Sequence, residues 1–299
     1  MPLALQHLAF WQWVEPPVLV VTVALVALFW LTVSGPLARR FPDADGISGR
    51  QFALFVSGLG VLYLGFGGPL DILGDGYLFS AHMAQHLLEA FVAAPLLLLG
   101  TPGWLVRPVY RWPVGRIILG VVTRPLAGMT VFMLVMGLTI WPPFYTLMEV
   151  SSWVHFGYHA TLLMAALASW WPLLSPLPEL PRQHPGMQML YITLSGLPML
   201  GLFAPLALDT SPYYSYYAHT PRLFGLTQVA DQQLGAVIML AGAHIPATIA
   251  FLGAFAQWVR REKVGVIDPR PDRPHPGYAA GATPAADLST PQTETAARV

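Results

Sequence analysis

Long apolar runs recur along the whole chain and limit what it can fold into. Seven stretches stand out: Val14–Ser34, Gln51–Gly67, Tyr77–Gly100, Pro125–Trp141, Trp153–Leu174, Met187–Leu206 and Gln232–Trp258. A helix needs about 20 residues to cross about 30 Å of hydrocarbon, and each stretch is near that length. Charged residues make up only 10% of the 299 residues, against about 25% in soluble domains. One water-soluble core could not hide so much apolar surface. The expected fold is therefore an all-α integral membrane protein with seven transmembrane helices. Trp13, Tyr77, Trp104, Trp141, Trp153 and Trp258 lie at or near the ends of these stretches, where amphipathic rings favour the membrane interface.

Basic residues give the orientation. Arg39, Arg40 and Arg50 fall in the first loop, Arg107, Arg111, Arg116 and Arg124 in the third, and Arg182 in the fifth. Arg260, Arg261 and Lys263 follow the seventh stretch, whereas the opposite side carries only Arg222. By the positive-inside rule the N-terminus is outside and the C-terminus cytoplasmic. The third loop, Thr101–Arg124, mixes tryptophans and arginines with apolar residues and suits a short amphipathic helix at the cytoplasmic interface. Residues 1–263 form the transmembrane domain in this reading. Residues 264–299, rich in Pro, Ala and Thr, form a disordered cytoplasmic tail.

Several function classes lose support at once. Net charge is zero, with a single lysine among fifteen basic residues, so a nucleic-acid partner has no electrostatic footing. The absence of cysteine removes disulfides, thiolate metal sites and cysteine nucleophiles, leaving His, Met and carboxylates as ligands. No basic residue precedes the first apolar run, so a cleaved signal peptide is not expected. No phosphate loop or nucleophile–base pair stands out, and the expected activity is not enzymatic.

Against this apolar background the polar residues are conspicuous. His82, His86 and Glu89 occupy the first half of the third stretch and project from one helix face. Ionisable groups in hydrocarbon are costly, about 2.5–3.5 kcal/mol for a charge at the helix centre on insertion scales, so they need a partner. The fifth stretch opens with a second pair at the same spacing, His155 and His159, and the seventh with Asp231-Gln232-Gln233. With the N-terminus outside, all of these gather towards the extracytoplasmic side. Two H-x3-H pairs on separate helices make a metal cage, and neutral imidazole suits copper, zinc, iron and nickel. The candidate ligands are His82, His86, His155 and His159, with Glu89 and Asp231 in support. Asp231 also fits a simpler role as a dipole partner at a helix start. Met129, Met133 and Met136 recur at helical spacing and Met83 adjoins His82, a pattern that fits flexible packing. His244, near the middle of its stretch, reads as a hydrogen-bonding residue between helices.

Three segments resemble a known family. HMAQHLLEAFVAAPLLLLGTP looks like the signature of the CtaG family of cytochrome c oxidase assembly factors, the multispan kind associated with caa-type oxidases. WVHFGYHATLLMAALASWWPLLSPLP and SPYYSYYAHTPRLFGLTQVADQQLGAVIML continue the resemblance in consistent order, over roughly residues 50 to 258. One departure is Tyr158, where the family pattern leads one to expect a carboxylate. The resemblance implies a multi-pass protein of the bacterial plasma membrane that helps mature the oxidase by handling copper. Its partners would be oxidase subunits, an extracytoplasmic copper donor and the lipid bilayer.

The leading expectation is thus a copper-binding oxidase assembly factor. A haem-binding redox protein or haem-modifying enzyme is the main alternative, since facing histidines can hold haem. A proton-coupled transporter using Glu89 and His244 and a purely structural scaffold are further alternatives.

Overall fold

The structure, a computed structural model, describes residues 16–266 apart from residue 42, with side chains described for residues 17–262. Those residues are helical wherever they are regular: α1 Pro16–Val33, α2 Gly49–Phe66, α3 Pro69–Gly76, α4 Phe79–Gly100, α5 Gly103–Arg111, α6 Pro113–Val122, α7 Pro125–Ile140, α8 Pro142–Val150, α9 Ser152–Leu174, α10 Pro185–Leu208 and α11 Gln228–Val266. The chain divides into two compact units, residues 1–258 and 259–299. The first holds every element discussed below. The described part of the second is the last stretch of α11, and the expected tail beyond residue 266 lies outside the described residues.

A helix occupies each of the seven apolar stretches, but not all of them have the length and hydropathy of a membrane span. Four do: α2, α4, α10 and the part of α11 from Gln228 to Glu262. The pair α6 and α7, bent by 83° at a short break, makes a fifth candidate. The difference from seven has a physical origin. The apolar part of α1, Pro17–Val33, falls just short of the length that α2 reaches. In α9 two histidines, three tryptophans and a tyrosine dilute the aliphatic content. Among the described residues, four to five helices are thus both long and apolar enough to span a membrane.

Local chemistry explains most helix starts. Ser48 opens α2 with a capping box: its hydroxyl accepts from the Gln51 amide while Gln51 Oε1 accepts from the Ser48 amide, satisfying two otherwise orphaned donors. Helices α3, α6, α7, α8 and α10 begin with proline in the first turn, where no amide hydrogen is missed. Helix α4 has no side-chain cap at Leu78, and its start is held from elsewhere in the chain.

The main core gathers Phe79 and Met83 of α4, Phe132 and Met136 of α7, Tyr145 and Met148 of α8, Leu162 of α9, Phe203 of α10 and Met239 of α11. Close approach of α2 to α4 depends on two glycines. A Cβ on Gly58 would lie 2.8 Å from Leu97 Cγ, and one on Gly100 would run into the Phe55 backbone. Small residues at such crossings let helix backbones touch. The third loop forms α5 and α6, and α5 anchors its neighbours through charge. Arg107 Nε donates to Glu179 Oε1 at 2.7 Å and Arg111 pairs with Asp43 at 2.7 Å. The Glu179 carboxyl is held below its ordinary pKa by a hydrogen bond from its own backbone amide and by Arg107.

Candidate metal centre

The start of α4 is fixed by a carboxylate distant in sequence. Asp231, in the first turn of α11, accepts from the Phe79 amide at 2.8 Å and the Ser80 amide at 3.1 Å, and also from the Ser80 hydroxyl. A negative group at a helix N-terminus satisfies orphan donors and opposes the positive end of the dipole. The helix is thereby held to α11 three residues before His82.

From that start, the i, i+4 spacing sets His82 and His86 on one face of α4, with Nε2 atoms 3.0 Å apart. On α9 the same spacing brings His155 and His159 to 2.9 Å, again between Nε2 atoms. The two helices bring the pairs together. Ring centroids lie 5.3 Å apart for His82–His155, 5.5 Å for His82–His159 and 5.0 Å for His86–His159. Potential ligand nitrogens of His82, His155 and His159 all fall within 4.8 Å of one another. At a bond length of about 2.0–2.1 Å, two imidazole nitrogens on a tetrahedral ion would be about 3.3 Å apart, so the cluster has the dimensions of a single-ion site.

Carboxylates back the rings. After His86 the helix widens into a π turn, Leu88–Ala93, a one-residue irregularity frequent at functional sites. Glu89 in this turn reaches across to α9 and accepts from His159 Nδ1 at 2.8 Å. With its proton on Nδ1, His159 turns the lone pair of Nε2 into the cluster, the arrangement usual behind metal-bound histidines. The Ala90 carbonyl of the same turn accepts from Trp170 Nε1 at 2.9 Å, a second tie to α9. Glu149, on α8, stands behind His82 with Oε1 3.1 Å from Nδ1 and no side-chain exposure. Asp75, at the end of α3, lies 3.7 Å from His155 Nδ1.

An aromatic shell encloses these groups. The Tyr217 hydroxyl donates to the Gly74 carbonyl at 3.0 Å and accepts from Tyr145 at 2.7 Å, while Tyr214 donates to the Thr139 carbonyl at 2.9 Å. The Tyr145 ring centroid lies 5.4 Å from that of His82, and Phe66 packs on His159 at 4.8 Å. Tyr158, the departure from the family pattern, sits 5.5 Å from His86 in the same wall, supplying a ring and a hydroxyl where a carboxylate was expected.

The structure therefore brings together five of the six residues chosen from sequence: His82, His86, His155, His159 and Glu89. Asp231 belongs to no potential ligand cluster among the described residues, and its oxygens serve the α4 start. Met83 packs in the core towards Gly235 of α11. Met136 is likewise a core residue. His244 is exposed, and its ring bonds the Leu240 carbonyl of its own helix rather than reaching another helix. Two residues were missed: Asp75, which by sequence reads as a solvated loop position but lies beside His155, and Glu149. A lone carboxylate in the apolar run PPFYTLMEV was the available signal, since such a charge asks for a partner.

The profile of the cytochrome c oxidase caa3 assembly factor family matches residues 27–261. The chain belongs to that family. The match covers both histidine helices, the tyrosine-rich segment and Asp231, and as a caa3 assembly factor the protein is associated with cytochrome c oxidase. No curated protein and no solved structure matches the chain.

Proposed function

We propose that this caa3 assembly factor binds a copper ion as cargo between α4 and α9 and assists metallation of the oxidase. The observation that carries the reading is the convergence of His82, His86, His155 and His159, from α4 and α9 with four helices between them in sequence, into one largely buried cluster backed by Glu89. Burying this many titratable groups without a ligand is costly, and an ion bound by neutral imidazoles would recover that cost. Ring centroids 4.6 to 5.5 Å apart leave no slot for a macrocycle, which favours a single ion over haem. The protein acts by holding and passing on its cargo, not by catalysis. Metal analysis of the purified protein tests this. Wild type should retain copper and His82→Ala/His86→Ala should lose it. Equal copper in both would sink the proposal.

In the same reading seven helices cross the bacterial plasma membrane, N-terminus out, so the centre lies towards the extracytoplasmic side within reach of an external copper donor. The arginine distribution on α5, α6 and after Trp258 supports this, because basic loops stay cytoplasmic. A reporter active only in the cytoplasm should work when fused after Lys263 and be silent when inserted near Asp75. The reverse pattern would invert the topology.

A further inference from the structure

The imidazole cluster is closed: His82 and His86 have no exposed surface. An ion reaching it must pass residues that touch solvent, and His155, with a side chain 13% exposed, adjoins them. Its ring faces two ways. Nε2 is turned to His159 at 2.9 Å and Nδ1 to Asp75 Oδ2 at 3.7 Å. Asp75 is the most open of the group, with 44% of its side chain exposed. Ligand atoms of Asp75, Glu149 and His155 lie within 4.8 Å of one another.

Glu149 is the residue that asks for a cation here. Both carboxylate oxygens are buried and neither makes a hydrogen bond. The 3.1 Å approach to His82 Nδ1 lacks hydrogen-bond geometry, so that contact alone does not satisfy the group. Buried charges are as a rule paired and hydrogen-bonded or bound to metal. The outer ligands are also held in place. The Tyr216 hydroxyl donates to the Asp75 carbonyl at 2.7 Å and Tyr217 to that of Gly74, fixing the end of α3 above the cluster.

We propose that Asp75, Glu149 and His155 form an outer position for a divalent transition-metal cation, from which the ion passes to the imidazoles of His82 and His159. The proposal rests on the copper reading above and adds a route to it. A carboxylate-rich position suits a hydrated divalent ion and an imidazole-rich one a softer environment. Because His155 faces both positions through opposite nitrogens, ligands are exchanged one at a time and the ion need not be released. No electron or covalent bond changes hands in this step.

Loading kinetics test the proposal. Purified full-length protein, stripped by chelator, is mixed with Cu²⁺ in a stopped-flow instrument, and retained copper is measured after gel filtration. Glu149→Gln and Asp75→Asn should each slow loading by about ten-fold, the lower end of what a focused field adds to association rates, a larger effect than on the copper retained. Glu149→Asp keeps the charge and should load close to the wild-type rate, which guards against a folding defect. Wild-type rates in both neutral variants would overturn the outer position. A loss of retained copper as large as the loss in rate, in either neutral variant, would also overturn it, making that residue a support of the inner cluster only. A wild type that retains no copper would instead remove the metal reading as a whole.

Discussion

Removing either histidine pair should abolish almost as much copper binding as removing all four. The two pairs contribute rings to one cluster, with cross-helix centroids 5.0 to 5.5 Å apart, and sites for such ions use three or four protein ligands. Taking away His82 and His86, or His155 and His159, leaves too few. The affinity loss for either double variant should exceed the roughly 10–100-fold typical of an outer-shell change. The fourfold variant should then add little, the non-additivity of residues acting as a unit. Copper content of the three purified variants, with membrane levels checked, provides the measurement. Losses that sum would mean that each pair serves its own helix contact and that no ion is shared.

The second large effect is expected at Asp231. Its carboxylate is buried and receives the Phe79 amide, the Ser80 amide and the Ser80 hydroxyl. Hydrogen bonds to charged groups contribute about 1.5–3 kcal/mol, and a buried donor left without an acceptor costs about 1–3 kcal/mol. Asp231→Ala strands two backbone donors at once, so a loss of about 3 kcal/mol or more in stability is expected. Asp231→Asn keeps one acceptor oxygen and should lose less. Thermal unfolding in detergent measures both. The start of α4 also sets the position of His82, so Asp231→Ala should weaken copper retention although it removes no ligand. An alanine variant as stable as wild type would show that the cap is dispensable.

These expectations trace back unevenly to the sequence. The four histidines were legible because i, i+4 spacing forces two rings onto one face whatever the tertiary structure. Glu89 was legible because a carboxylate within a long apolar run needs a partner. Asp231 was recognised as a carboxylate at a helix start, but the helix it caps is not its own. Its donors lie 152 and 151 residues away, a pairing that no local pattern encodes. Glu149 escaped because residues 142–152 read as a connection between apolar stretches, and the short helix Pro142–Val150 gains its importance only by packing beside α9. The apolar stretches marked where helices form. They did not separate helices of spanning length and hydropathy from α1 and α9, because that distinction rests on a few residues at each end and on polar side chains buried against partners.

Along an α-helix each residue advances by about 100°, so the directions of all side chains are locked to one another. The π turn Leu88–Ala93 breaks that lock in α4. Before it, His82 and His86 face the imidazoles of α9. After it, Leu97 and Gly100 meet Gly58 and Phe55 of α2. The helix is thus two rods keyed at a fixed angular offset, with the key itself tied to α9 through Glu89 and Ala90. Substitutions that reshape the seat on α2 can change the lower rod without turning the upper one, leaving the aim of the two histidines intact.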